Sequence, residues 1–142
     1  MDLKNLLPNN QKKLYGYNNE FTELVKLYKN KKLPSKIFFT GPKGIGKATM
    51  AYHLINYIFS SKEEYQYDLS NLEINNLNKS HKLILHNIHP NFHLVDIMKD
   101  KKIIEISQIR QMINYSTKST FNNNERIILI DNVENLNLNS LN

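Results

Sequence analysis

Apolar residues fall along this chain in two rhythms, a helical one near 3.6 residues and short unbroken runs, and their alternation predicts layers of helix and strand. Residues 1 to 20 are polar and irregular, with Leu14-Tyr15-Gly16-Tyr17 as their one compact apolar group. Phe21, Leu24, Val25, Leu27 and Tyr28 then recur at helical spacing until Leu33-Pro34 stops the pattern. Ile37-Phe38-Phe39 is a β-favouring run closed by Gly41-Pro42, which predicts a buried strand. Met50, Ala51, Leu54, Ile55, Ile58 and Phe59 form one helical stripe, so this region reads as strand, glycine loop, helix.

Residues 61 to 80, rich in Ser, Asn, Glu and Lys, carry no clear period and read as loop with a partial helix. Leu83, Ile84, Leu85 and Ile88 predict a short helix ending before His89-Pro90, and Phe92, Leu94 and Ile97 a second strand. Ile103-Ile104-Glu105-Ile106 reads as a brief extended piece. Ser107 is the expected N-cap of a helix carrying Ile109, Met112, Ile113 and Tyr115 or Ser116. Asn122-Asn123-Asn124 predicts a turn. Ile127 to Ile130 is a continuous aliphatic strand, the pattern of a parallel sheet covered on both faces, and Asp131 follows directly. The expected fold class is α/β, with no internal repeat.

Composition narrows the classes. A chain of 142 residues, 40% apolar, is the size of one ordinary domain with a real core. Its longest aliphatic run is Ile127 to Ile130, far short of the roughly 20 residues of a membrane span, and its first residues lack a secretory signal, so a soluble, cytoplasmic protein is expected. Without cysteine there is no disulfide framework, thiol catalysis or thiolate metal site. A net charge of +6 would suit work near nucleic acid. The lysines, however, fall in short scattered groups such as Lys29, Lys31, Lys32 and Lys99, Lys101, Lys102, which favours a solvated basic face over a dedicated DNA-binding stripe.

Gly41-Pro42-Lys43-Gly44-Ile45-Gly46-Lys47 fits the phosphate-binding pattern G-x-x-x-x-G-K, placed between a predicted strand and a predicted helix. Such glycines let backbone N–H groups wrap phosphates, while the helix N-terminus and the lysine favour their charge. At average residue frequencies the bare spacing arises by chance in about 4 in 100 chains of this length. Here three of the chain's four glycines, Gly41, Gly44 and Gly46, crowd into that one stretch. The next position should carry the hydroxyl that ligates Mg²⁺, and it is Ala48. Thr49 comes one residue later, about 100° round the helix, so its hydroxyl should point away from the normal metal site. Lys47 can still meet a phosphate, so ATP binding and ATP hydrolysis are separate questions, and whether Mg²⁺ takes part stays open.

Asp131, after the aliphatic strand, matches a Walker B acid that would hold Mg²⁺ through water; the plainer alternative is a turn or cap residue. Hydrolysing members of this class usually carry Glu next, to polarise the attacking water. Asn132 stands there, and an amide is no general base at neutral pH. Glu134 lies on the following turn, too far along to reach the same point. No catalytic residue is assigned.

Leu14 to Tyr17, Ile37 to Tyr52, His89-Pro90-Asn91-Phe92 and Arg126 to Asn137 together resemble, in order and spacing, the bacterial DNA polymerase III delta prime family. The resemblance implies an AAA+ P-loop module of the clamp loader, the machine that places the sliding clamp on primed DNA. Its partners would be the motor and delta subunits, with clamp and DNA met through the complex. It further implies a poorly hydrolysing or non-hydrolysing member, and puts Leu14 to Tyr17 near the adenine side of the nucleotide pocket, although Tyr15 and Tyr17 could equally be core aromatics. Many relatives carry a four-cysteine zinc module after the P-loop helix. This chain has no cysteine, and His81, His86, His89 and His93 make no convincing substitute, so no zinc is expected.

The family's strand order, 5-1-4-3-2, sets a fourth strand between the P-loop strand and the Asp131 strand, and that strand is not in this sequence. The expected organisation over 1–142 is therefore the N-terminal part of an AAA+ domain, with 61–90 as a variable polar and helical insert. The rest of the AAA+ domain, lid and collar would be absent, as in a fragment or truncated reading frame, leaving exposed sheet edges. The competing functional reading is a hydrolysing AAA+ ATPase, the clamp loader's motor subunit or another. A P-loop nucleoside or metabolite kinase fits less well, since no acceptor pocket can be read.

Overall fold

Phe21 and Val25, four residues apart, are the buried face of the first helix, α1 (Asn18–Lys29); Glu20 in its first turn and Lys26 and Lys29 in its last complement the helix dipole. The computed structural model describes residues 6–137, and the chain divides into two compact units, 1–85 and 86–142, each treated by itself. The first unit is built round α2 (Lys47–Ser60), which buries not one stripe but most of its circumference, including the polar His53, Asn56 and Ser60. A helix buried nearly all round is a core element rather than a surface one. On one side of it Tyr57 meets Tyr28 of α1 edge to face, with ring centres 6.0 Å apart.

The polar stretch after α2, which has no readable period, is ordered by side chains that bond to backbone. Asp68 Oδ1 accepts from the N–H groups of Ser70 and Asn71 at 2.9 and 3.0 Å, forming a turn. Glu63 accepts from the Lys79 and Ser80 N–H groups at 2.9 and 3.0 Å, and Asn78 Oδ1 from that of His81 at 2.8 Å. These bonds satisfy the open N-terminus of α3 (Lys79–Leu85), so this helix starts and ends earlier than its apolar spacing predicts.

Ile37-Phe38-Phe39 is not the buried strand expected. Residues 36–40 have no regular structure, and Phe38 is 73% exposed. A strand exists only through a hydrogen-bonding neighbour, and no described residue pairs with this one.

In the second unit β1 (Phe92–Val95) and β2 (Ile127–Ile130) pair in parallel, in register from Phe92 with Ile127 to Val95 with Ile130. The pairing joins the strand before Asp131 directly to β1. Phe92 and Val95 are buried, whereas all four residues of β2 are half-buried. Ile104, wholly buried, makes a parallel bridge with Leu136. Between the strands runs α4 (Ile106–Thr117). Its N-cap is Glu105 and not Ser107: the Glu105 side chain accepts from the Gln108 backbone, and Gln108 Oε1 accepts from Glu105 N–H at 3.0 Å. The expected asparagine turn is a 3-10 turn, Phe121–Asn123, held by Asn91, whose amide accepts from Phe121 N–H at 2.8 Å and donates to its carbonyl at 3.0 Å. The described residues are thus an α/β structure with four helices and a small parallel sheet. None of those helices is long and apolar enough to cross a membrane.

Candidate nucleotide site

The glycine loop closes onto the N-terminus of α2. Gly46 is the N-cap, at a φ of 91°, and a β-carbon there would lie 3.4 Å from the Tyr17 ring. Gly41, at a φ of 139°, holds a backbone conformation that residues with a side chain rarely adopt. Between them Pro42, Lys43 and Gly44 are exposed to solvent. The Lys47 ammonium turns back across the loop and donates to the Gly41 and Pro42 carbonyls, both at 2.7 Å. Those are bonds an ammonium can exchange for charge-assisted bonds to phosphate oxygens. Lys47 and the N–H groups that open a 14-residue helix form a site whose polarity suits an anion.

Ala48 puts a methyl group at the position where a metal-binding hydroxyl would stand. Thr49, half-buried, lines a cleft of about 170 Å³ beside the loop, together with Gln11, Tyr15, Tyr17, Ile45 and Gly46. Tyr17 donates its hydroxyl to the Ile45 carbonyl at 2.5 Å, which locks its ring over Gly46. Tyr15 is 77% exposed. Neither tyrosine is a core aromatic; both border the loop.

Further along α2, His53 is completely buried. Its Nε2 lies 3.0 Å from the Gln11 carbonyl and its Nδ1 2.7 Å from the Tyr67 hydroxyl. A carbonyl only accepts, so the ring proton sits on Nε2 and Tyr67 donates to Nδ1. Burial, with the nearby His81 adding to it against the Gln11 bond, lowers the His53 pKa to about 4. His81 is lowered to about 4 by burial and by Lys12. Both rings are therefore neutral near pH 7.

In the second unit Asp131 follows β2 and Asp96 follows β1. The Asp131 N–H donates to the Val95 carbonyl at 2.9 Å, and its Oδ1 accepts from Asn132 N–H at 2.8 Å. The Asn132 amide donates to Asp96 Oδ1 at 2.7 Å, an oxygen that also accepts from Ile97 N–H at 2.7 Å. Two carboxylates thus stand at the carboxyl ends of neighbouring parallel strands, the edge where α/β sheets place their chemistry, with Asn132 between them. Asp96 was not picked out from the sequence, although it carries the same signal as Asp131, an acid directly after an apolar strand. Glu134 is exposed in a 3-10 turn, Val133–Asn135. Gly41 to Thr49 come together in the first unit, and Asp131 belongs to the second.

His93 stacks on Tyr115 with ring centres 4.9 Å apart, and the Arg126 guanidinium lies 5.0 Å from the other ring's centre in the same cluster. Burial lowers the His93 pKa. Among the described residues no three His, Asp or Glu side chains gather as a metal site. A family model described as DNA polymerase III, delta subunit matches residues 16–142. No curated protein matches the chain.

Proposed function

Because the chain belongs to the DNA polymerase III delta-subunit family, we propose that this clamp-loader-type subunit is its delta prime-like member, one that supports loading of the sliding clamp on primed DNA without hydrolysing nucleotide itself. The observation that carries the reading is a pair of substitutions in an otherwise recognisable site. Ala48 removes the metal-binding hydroxyl after Lys47, and Asn132 puts an amide after Asp131, where a water-activating acid would be needed. The Asn132 amide is moreover committed to Asp96. Gly41, Pro42, Lys43, Gly44, Ile45, Gly46 and Lys47 remain an anion-binding loop, so ATP or ADP would be held as a ligand rather than consumed. Asp131, in the second unit, has no catalytic task in this reading.

As a subunit, the chain would form part of a DNA-directed DNA polymerase holoenzyme and contact the motor and delta subunits, with the clamp and primed DNA reached through the assembly. Two measurements test this. The purified protein should capture the clamp-loader motor subunit, and should show no more ATP turnover with Mg²⁺ than its Lys47→Ala variant. Robust Mg²⁺-dependent turnover that vanishes in Lys47→Ala would instead establish a working AAA+ ATPase, the reading that intact Lys47 and Asp131 favour.

A further inference from the structure

We propose that His53 is a positioning residue for the cleft beside the phosphate loop: with Tyr67 it fastens residues 11–17, the strap that walls this cleft, onto the helix that follows the loop. His53 lies six residues beyond Lys47 on α2, about 9 Å along its axis. It is wholly buried, and both ring nitrogens are spent, one on the Gln11 carbonyl and the other on the Tyr67 hydroxyl. Phe21, also wholly buried, closes over the pair, its ring centre 6.4 Å from that of His53 and 5.3 Å from that of Tyr67. With water shut out, these hydrogen bonds have no ready substitute.

Tyr67 is itself aimed by the polar segment after α2. Its N–H donates to the buried Ser60 hydroxyl at 3.1 Å, and Asn78 ties that segment together by bonding Asn56 at 3.0 Å and the Tyr65 carbonyl at 2.9 Å. The same segment grips the strap directly: Leu14 N–H donates to the Leu72 carbonyl at 3.0 Å and Ile74 N–H to the Lys12 carbonyl at 2.8 Å. The strap then ends at Tyr17, whose hydroxyl bonds Ile45 inside the glycine loop. A continuous run of bonds therefore links the insert, His53, the strap and the loop. The stretch with least pattern in the sequence sets the wall of the cleft. That this cleft takes the base side of an adenine nucleotide rests on the nucleotide reading of the loop given above.

Tyr67→Phe removes one hydroxyl and no carbon. In limited proteolysis of the full chain with trypsin it should speed cleavage after Lys12 and Lys13 about fivefold, the factor for one hydrogen bond of ordinary worth. Gln66→Ala, which deletes a bond inside the insert that touches neither strap nor His53, should leave that rate unchanged. His53→Ala should act more strongly, and where it does not fold Tyr67→Phe still decides. Unchanged cleavage in Tyr67→Phe overturns the proposal, as does an equal rise after Lys26 and Lys29 in α1, which would mean that the pair supports the whole unit. On the ligand side, Tyr67→Phe should weaken ADP carrying a fluorescent ribose label about fivefold and leave inorganic pyrophosphate, which meets only the loop, unaffected. Equal weakening of both probes overturns the positioning role. If neither probe binds the parent protein, the nucleotide reading fails, and the strap still stands or falls on its cleavage rates.

Discussion

Asn132 occupies the place of a water-activating acid, and its surroundings show what restoring that acid would cost. It holds a left-handed backbone at a φ of 52°, which asparagine tolerates better than glutamate, and its amide donates to Asp96. Asn132→Glu would lose that bond and set a second carboxylate against the first. The variant should be less stable by about 1–3 kcal/mol in urea unfolding, with no gain in ATP turnover. A variant as stable as the parent would show that the Asp96 contact contributes nothing. Ala48→Thr is the complementary change. The new hydroxyl should raise affinity for Mg²⁺-nucleotide in a fluorescent-nucleotide titration, yet turnover should stay flat while Asn132 remains; fast turnover from this single change would mean that Asn132 is no obstacle. At this scale the glycine loop stands out in the sequence as a spaced motif, and Asp131 as the acid that closes an unbroken aliphatic run. Asp96 does not, because the strand expected from Phe92, Leu94 and Ile97 runs past it, whereas β1 ends at Val95 and leaves Asp96 at the strand's carboxyl end.

Elements were legible where local spacing decides them and obscure where distant groups do. α1 and α2 follow their apolar periods, and β1 and β2 their short runs. α3 is set instead by Glu63 and Asn78, and α4 is capped by Glu105 because a glutamate and a glutamine form a capping box usually opened by serine or threonine. Ile37-Phe38-Phe39 has strand composition but no partner among the described residues, and pairing is not a local property. The polar core around α2 gives the first unit a pH dependence. His53 and His81 have folded pKa values of about 4, below the 6.5 of an exposed histidine. Their neutral forms stabilise the fold fully above pH 6.5, and this contribution is lost as pH falls from there toward 4. Urea midpoints should therefore drop between pH 7 and pH 4.5, by a few kcal/mol in free energy at most, because the two rings feel one another and do not add independently. Since Phe has no proton to gain, His81→Phe should flatten part of that drop; an unchanged profile would put the acid sensitivity elsewhere.

Charge and apolar exposure act on the molecule as a whole. Phe38 is 73% exposed and Ile37 39%, on a stretch of backbone without regular structure, and Ile45 in the adjoining loop is 43% exposed. An apolar segment with open N–H and C=O groups is a template for association between chains, held in check here by a net charge of +6 that makes copies repel. Salt removes that check: the screening length falls from about 30 Å at 0.01 M to about 10 Å at 0.1 M, while apolar attraction persists. Self-association measured by light scattering should therefore rise with ionic strength. Phe38→Ser should suppress the rise, and because the ring is largely in water already, it should change the unfolding free energy by less than about 0.5 kcal/mol. The difference between parent and variant should widen as salt is added. If Phe38→Ser associates as strongly as the parent at every ionic strength, the exposed segment is not the adhesive surface; a large loss of stability would mean instead that Phe38 packs against its own chain in solution.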